Sequence, residues 1–220
     1  MADRAQFLES IRDRTARYRS TRSPTSVWTD TGHPRSARPI EDPAGRFLEE
    51  LAALGGHGSR VAGLAAARDY LLALARERGA RLLVRWDDDE LERLAVDAPL
   101  REAGVEVAVW DGLGEPRALT ARADIGLTTA AWAVAETGSI ALPSGPGRGR
   151  SVGLLPPTHV AVVSASSIFP TLADAIARLD EGGAMPSSLA LHTGPSRSGD
   201  IEMTLTVGVH GPGEVHVLLV

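Results

Sequence analysis

Between His192 and Pro212 the chain reads HTGPSRSGDIEMTLTVGVHGP, setting Ser196, Arg197, Asp200, Glu202 and His210 among glycines and prolines. A plain connecting loop needs the turn residues but not the polar side chains. The segment therefore reads as a site built on backbone turns, with polar groups aimed at a ligand. Ser196 and Ser198 are placed to cap a helix starting near Asp200, and the free amides of such a helix attract anions. Asp200 can equally fill that cap itself. Arg197 beside them has a guanidinium suited to gripping a carboxylate or phosphate. His210, in a glycine-rich turn before the last predicted strand, can serve as an acid or base near neutral pH or as a fixed hydrogen-bonding turn residue.

Two further segments carry candidate chemistry. In AETGSIAL, Ala135–Leu142, Glu136 and Thr137 precede Gly138 and a predicted strand. A carboxylate at a tight turn beside a strand end can act as nucleophile, base or hydrogen-bond anchor, or can merely satisfy turn amides. In PSGPGRGR, Pro143–Arg150, successive glycine amides can form an anion-binding concavity to which Arg148 and Arg150 add positive charge. The tract has neither the P-loop pattern nor the GxGxxG spacing of a dinucleotide site, and reads either as a mobile surface loop or as a loop able to close over a pocket. No metal site is expected: His192, Asp200, Glu202, His210 and His216 show no recognised ligand spacing, and alternation with Val215 and Val217 points His216 toward solvent. No GxSxG elbow is present.

Composition narrows the chemistry. The 220 residues contain no Cys, so the chain cannot hold an iron–sulfur cluster through thiolates, form a disulfide or use a thiol nucleophile. All 23 basic residues are Arg, which removes Schiff-base chemistry and the phosphate-gripping lysine. A formal charge of −5 gives no sign of nucleic-acid binding. The charge is uneven: residues 1–40 hold eight Arg against four acids. No apolar run reaches the ~20 residues of a membrane helix, and MADRAQFLES lacks the core of a secretory signal, so a cytoplasmic location is expected.

These residues must be positioned by a larger framework, and the pattern of the chain predicts its elements. Residues 3–19 form an amphipathic helix with Phe7, Leu8, Ile11 and Tyr18 on one side, followed by a proline-bearing extended connector from Thr21 to Ile40. The main domain is expected over 41–220. Asp42-Pro43 opens a helix with Phe47, Leu48, Leu51 and Leu54 inward, and Ser59 opens a second that runs through Arg78. Strands come next at 81–86 and 105–110, with short helices near 90–96 and 99–103 between them. Further strands are expected at 124–129, 139–142, 159–165, 188–192 and 215–220. Leu172, Ala175, Ile176 and Leu179 mark a helix closed by Gly182-Gly183. The alternation predicts an α/β fold with a mainly parallel sheet flanked by helices.

Four blocks taken in order, AETGSIAL, the R-x-x-x-L-L-P-P-x-H-V run of Arg150–Val160, GPSRSGDIE at Gly194–Glu202 and VGVHGP at Val207–Pro212, resemble the signature of the lactate-utilisation (LUD) domain family. The similarity is strongest from about Asp124 to Val220. It implies a three-layer arrangement like that of the sugar-phosphate isomerase and CoA-transferase superfamily. It also implies a part in oxidising L-lactate to pyruvate beside partner proteins that carry iron–sulfur clusters. A chain without Cys or a dinucleotide fingerprint fits the non-redox share of that work, with no cofactor of its own.

Three functions are expected from these readings. The first is an accessory component of a lactate-oxidising system, binding a small carboxylate, a phosphate-like anion or a partner segment through Arg150 or Arg197. The second is a stand-alone enzyme of the same superfamily using Glu136 on an anionic substrate held by the glycine loop and Arg148. The third is a partner-binding protein whose basic arm (Arg12, Arg17, Arg19, Arg22, Arg35, Arg38) docks on an acidic surface.

Overall fold

The computed structural model describes residues 40–110, 116–181, 186–198 and 206–220, together with Gln6, Glu9, Ser10, Arg12 and Asp13. Those five are helical, inside the helix expected over 3–19. The connector from Thr21, the basic arm beyond Arg12, Gly182-Gly183, Asp200 and Glu202 lie outside the described residues. Residues 1–37 and 38–220 group as separate compact units, and all the described strands belong to the second.

Helix α1 (Pro43–Ala53) starts where the sequence places it. The Asp42 carboxylate accepts the Gly45 amide at 2.9 Å, Pro43 fills the first turn, and Phe47 and Leu51 are buried. Strand β1 (His57–Arg60) comes next, then α2 (Leu64–Glu77), which buries Ala67, Leu71, Leu74 and Ala75. The chain continues through β2 (Leu82–Trp86), α3 (Asp89–Leu94), α4 (Asp97–Glu102), β3 (Glu106–Trp110), α5 (Pro116–Arg122) and β4 (Ile125–Thr129). Strands β5 (Trp132–Val134) and β6 (Ser139–Pro143) precede a 3-10 turn at Arg150–Gly153 and strand β7 (Thr158–Val163). The remainder comprises β8 (Ile168–Phe169), α6 (Leu172–Glu181), β9 (Leu189–His192), the short pair β10 (Arg197–Ser198) and β11 (Thr206–Val207), and β12 (Glu214–Leu219).

Six strands form one sheet in the order β1-β12-β7-β4-β2-β3, and every pair in it is parallel. Its central strands are buried on both faces. This explains why THVAVV and IGLTT, buried throughout, are nearly continuous runs of apolar and small residues rather than alternating patterns. Helices α2, α3 and α4 lie on one face. Buried Arg85 points into them, bonding the Asp97 carboxylate twice at 2.9 Å and Glu92 at 2.5 Å. The other face receives α1, the 3-10 turn and a second sheet ordered β8-β5-β6-β9. Gly58 and Gly126 make that approach possible: a Cβ on Gly58 would lie 2.4 Å from Leu48, and one on Gly126 would lie 1.9 Å from the Val152 carbonyl oxygen. Helix α6 packs on the small sheet through Ala175, against Trp132, Val134 and Ala141.

Two expectations are corrected. The helix expected from Ser59 starts only at Leu64; His57–Arg60 is instead an edge strand paired with β12, and Gly63, at φ +83°, turns the chain between the two. Arg197 and Ser198 are extended and paired antiparallel with Val207 and Thr206, while the helix expected to start near Asp200 lies outside the described residues. His216 does not face solvent: it is 3% exposed, since this strand runs second from the sheet edge beneath α2.

Candidate functional site

The strand order reverses between β2 and β4. From β2 the chain goes on to the outer strand β3, whereas from β4 it goes toward β7 on the opposite side. The loops leaving two adjacent parallel strands thus diverge, opening a crevice at their carboxyl ends, where open α/β sheets bind ligands. A cleft of about 750 Å³ occupies this place, lined by Asp87, Asp88, Asp89, Glu90, Arg93 and Arg148 with the turn from Pro143 to Pro146. An adjoining cavity of about 240 Å³ adds Trp86, Thr129, Ser164 and Ser167.

Asp88 organises the cleft. One carboxylate oxygen caps α3 by accepting the Glu90 amide at 3.0 Å. The other accepts the Thr129 hydroxyl at 3.0 Å and pairs with Arg148 at 2.7 Å. The glycine tract supplies Arg148 from a tight turn in which Gly145 and Arg148 exchange backbone hydrogen bonds, and Asp87 N donates to Gly147 O at 3.0 Å. Gly149 passes so close to Trp110 that a Cβ would lie 2.2 Å from its ring, while Trp86 Nε1 donates to Gly149 O at 2.8 Å. The tract is therefore anchored to the ends of β2 and β3. Four carboxylates against two guanidinium groups leave the cleft acidic.

Arg150, two residues after Arg148, faces a different cavity. It borders a narrow slot with Trp86, Leu142, Leu154, Ala190 and His192. His192 and Leu154 also line a groove of about 300 Å³ formed by Thr193, Gly194, Pro195, Ser196 and His210 with Gly211 and Pro212. The two glycine-bearing segments are tied together there: Ser196 N donates to Pro212 O at 2.9 Å, and Ser196 Oγ accepts the His210 amide at 3.3 Å. No carboxylate among the described residues pairs with Arg150. Behind the groove His159 is fully buried, with Nε2 2.9 Å from Thr128 Oγ1 and its ring edge-on to His192 at 5.5 Å. Burial, reinforced by the neighbouring imidazoles of His192 and His216, drives the His159 pKa well below the usual imidazole range, and burial lowers that of His192. Both rings are neutral near pH 7.

The remaining sequence-selected residues hold the framework. Glu136 Oε1 accepts the Leu172 amide at 2.8 Å, satisfying a free donor at the start of α6. Thr137 joins a hydroxyl chain, 2.8 Å from Ser139 Oγ, which is 2.7 Å from Thr193 Oγ1. Gly138, at φ +63°, lies where a Cβ would come within 2.5 Å of the Leu51 amide nitrogen. Arg197 reaches across to donate to the Leu54 carbonyl oxygen. The structure thus brings Ser196 and His210 into one groove, sets Arg150 at its neighbour and puts Arg148 in the acidic cleft. Glu136, Thr137 and Gly138 join neither cavity. Sequence reasoning missed Asp88, Thr129, His159 and the switch-point location itself. Asp88 left a signal in its acidic run, and His159 stands as the histidine of the Arg150–Val160 block, although neither was singled out as a site residue.

Comparison with known proteins agrees with this architecture. Among solved structures, a DUF162 family protein from Deinococcus radiodurans matches with a TM-score of 0.55 at 25% identity, covering 82% of this chain and 99% of that one. Curated relatives include lactate utilization protein C of Geobacillus sp. (strain WCH70), 33% identical over 163 residues, 70% of this chain and 68% of the relative. The protein of the same name from Exiguobacterium sp. is 40% identical over 156 residues, 68% of this chain and 65% of the relative. That from Halalkalibacterium halodurans is 38% identical over 142 residues, 62% of this chain and 61% of the relative. The LUD domain family model matches residues 44–220, which takes in every strand of both main sheets, and the chain belongs to that family.

Proposed function

We propose that this chain is an accessory, non-redox component of an L-lactate-oxidising system, working beside partner proteins that hold the iron–sulfur clusters. The observation that carries the reading is its kinship with relatives named lactate utilization protein C. The absence of any Cys among 220 residues fits it, since iron–sulfur clusters held by thiolates must then sit on other polypeptides. No helix among the described residues is long and apolar enough to cross a membrane.

Within that role the groove of Ser196, His192 and His210, together with Arg150, is the place for a small carboxylate or an acidic partner segment. The guanidinium of Arg150 has no competing carboxylate among the described residues and supplies the charge, while hydroxyl and turn amide groups supply direction. The acidic cleft is a poor host for a free anion, because Asp88 already neutralises Arg148. The group-transfer reading centred on Glu136 gains no support, one of its oxygens being committed to the Leu172 amide.

The test is genetic and biochemical together. Deleting the gene in the organism that carries it abolishes growth on L-lactate while leaving growth on glucose intact, and a tagged copy restores growth and co-purifies with iron–sulfur proteins. Undiminished growth of the deletion strain on L-lactate would end the proposal.

A further inference from the structure

At the opposite end of the sheet from the crevice, three metal-ligating side chains converge. His57 opens β1, Glu214 opens β12, and the parallel register sets His57 directly beside His216. The period of two along β12 puts Glu214 and His216 on the same face. That face is the one covered by α2. Strand spacing then stacks the two imidazoles, with ring centres 4.7 Å apart and planes 21° from parallel. Glu214 Oε1 lies 3.1 Å from His216 Nε2 and 3.8 Å from His57 Nε2. One donor atom from each of the three residues falls within 4.8 Å of the others. Beside them opens a cavity of about 290 Å³, walled by Tyr70, Glu77 and Arg78 of the neighbouring helix and its cap.

A second observation points to a ligand. His216 is 3% exposed, yet its Nε2 finds no well-directed hydrogen-bond partner among the described residues. This buried nitrogen faces the Glu214 carboxylate at 3.1 Å, without good hydrogen-bond direction, and the His57 ring beside it, a donor set open toward a cation. Its other nitrogen, Nδ1, lies 2.7 Å from Tyr70 Oη. A tyrosine oxygen can donate or accept, so the ring can pass from the Nε2–H tautomer to the Nδ1–H tautomer without losing that bond. The change frees the Nε2 lone pair. A metal-bound histidine is typically oriented in this way, through an acceptor on its second nitrogen. Arg78 grips Glu214 from behind, Nε to Oε2 at 2.8 Å and Nη2 to Oε1 at 2.5 Å, keeping the carboxylate ionised with its pKa pulled down to about 2.

We propose that His57, Glu214 and His216 form a Zn2+ site, with Tyr70 as the positioning residue for His216. Two neutral imidazoles select a borderline d-block dication over Ca2+ or Mg2+, which require oxygen shells. Tetrahedral zinc with nitrogen and oxygen at about 2.0–2.1 Å separates its donors by roughly 3.4 Å, which the three residues reach once the exposed His57 ring turns out of its stack with His216. Three protein ligands leave the fourth position to water on the cavity side.

Isothermal titration of the metal-stripped full chain with ZnCl2 tests the site. The wild type takes up one equivalent, and His57→Ala weakens binding at least about tenfold. Tyr70→Phe weakens it about tenfold, the effect of losing an outer partner. The His57 side chain is 56% exposed, so the metal-free melting temperature of His57→Ala stays near that of the wild type and a lost equivalent reports on the metal. Zinc uptake by His57→Ala equal to that of the wild type, or no uptake by the wild type at micromolar zinc, would overturn the proposal.

Discussion

Arg148 and Arg150 stand two residues apart on one glycine-rich tract, yet they serve two different regions. Arg148 turns into the switch-point cleft, where the buried Asp88 carboxylate neutralises it. Arg150 borders a separate slot beside His192 and the groove of Ser196 and His210, where no described carboxylate pairs with it. The cleft has the position that α/β architecture favours for ligands but the wrong charge for a carboxylate. The groove has an unpaired guanidinium at its neighbouring slot and hydroxyl-bearing turns of its own, but lies away from the strand reversal. Location and electrostatics thus separate, and they show that the crevice holds an internal network rather than a ready anion site.

The sharpest way to separate the regions is Gly126→Ala. Its Cβ would collide with the Val152 carbonyl oxygen under the 3-10 turn that carries Arg150. A loss of about 3 kcal/mol is expected from forcing backbone against backbone, read as a fall in melting temperature, with groove function disturbed and the Asp88–Arg148 pair intact. Asp88→Ala attacks the other side. It removes a helix cap, the Thr129 hydrogen bond and the Arg148 partner together, for about 2–3 kcal/mol. At 2–4 °C per kcal/mol, a domain of this size melts roughly 4–12 °C lower. Little change in chemical denaturation would mean that solvent weakens the cleft network and that the two regions do not differ as their charges suggest.

A third effect belongs to the groove side and depends on pH. His159 and His192 have folded-state pKa values held below the usual imidazole range, by burial above all. The unfolded chain takes up protons near pH 6.5 while the folded one does not. Stability is therefore full above about pH 6.5 and declines as pH falls beneath it, by up to about 1.4 kcal/mol per pH unit for each histidine. His216, also lowered by burial, adds to the slope. In denaturant titrations at successive pH values His159→Gln flattens the slope by about one proton; an unchanged slope assigns the effect elsewhere. The smallest stability effect is that of Arg150→Ala, expected within about 0.5 kcal/mol because no carboxylate is stranded. On the proposed carboxylate-binding role, its consequence is functional: calorimetry with L-lactate or pyruvate is expected to show binding weakened about tenfold or more. Equal affinity in the variant removes Arg150 from the site.

The alternation of helices and strands was legible because β2, β3, β4 and β7 are apolar runs separated by amphipathic or capped segments. His57–Arg60 was not, since HGSR is a four-residue edge strand with no period to read, and it becomes a strand only through its neighbour β12. Trp132–Val134 vanished inside a longer apolar stretch. Arg197 and Ser198 carried no strand pattern, and they become extended through pairing with Val207 and Thr206 further along the chain. Among site residues, Arg148, Arg150, Ser196 and His210 were visible because turn-forming neighbours isolate polar side chains. Asp88 lay in the run DDDE, which resembles any solvated helix start, and its tie to Thr129 spans 41 residues. Glu136 looked chemically poised for the same reason: the amide that occupies it lies 36 residues further on.

The placement of Gly149 between two indoles gives the chain a built-in optical gauge. Trp86 donates its ring proton to the glycine carbonyl, and Trp110 covers the other side. Any ligand that shifts the tract bearing both arginines must alter the surroundings of these two fluorophores. With Trp28 and Trp132 replaced by Phe, the emission wavelength can therefore follow occupancy of cleft or groove without an added label.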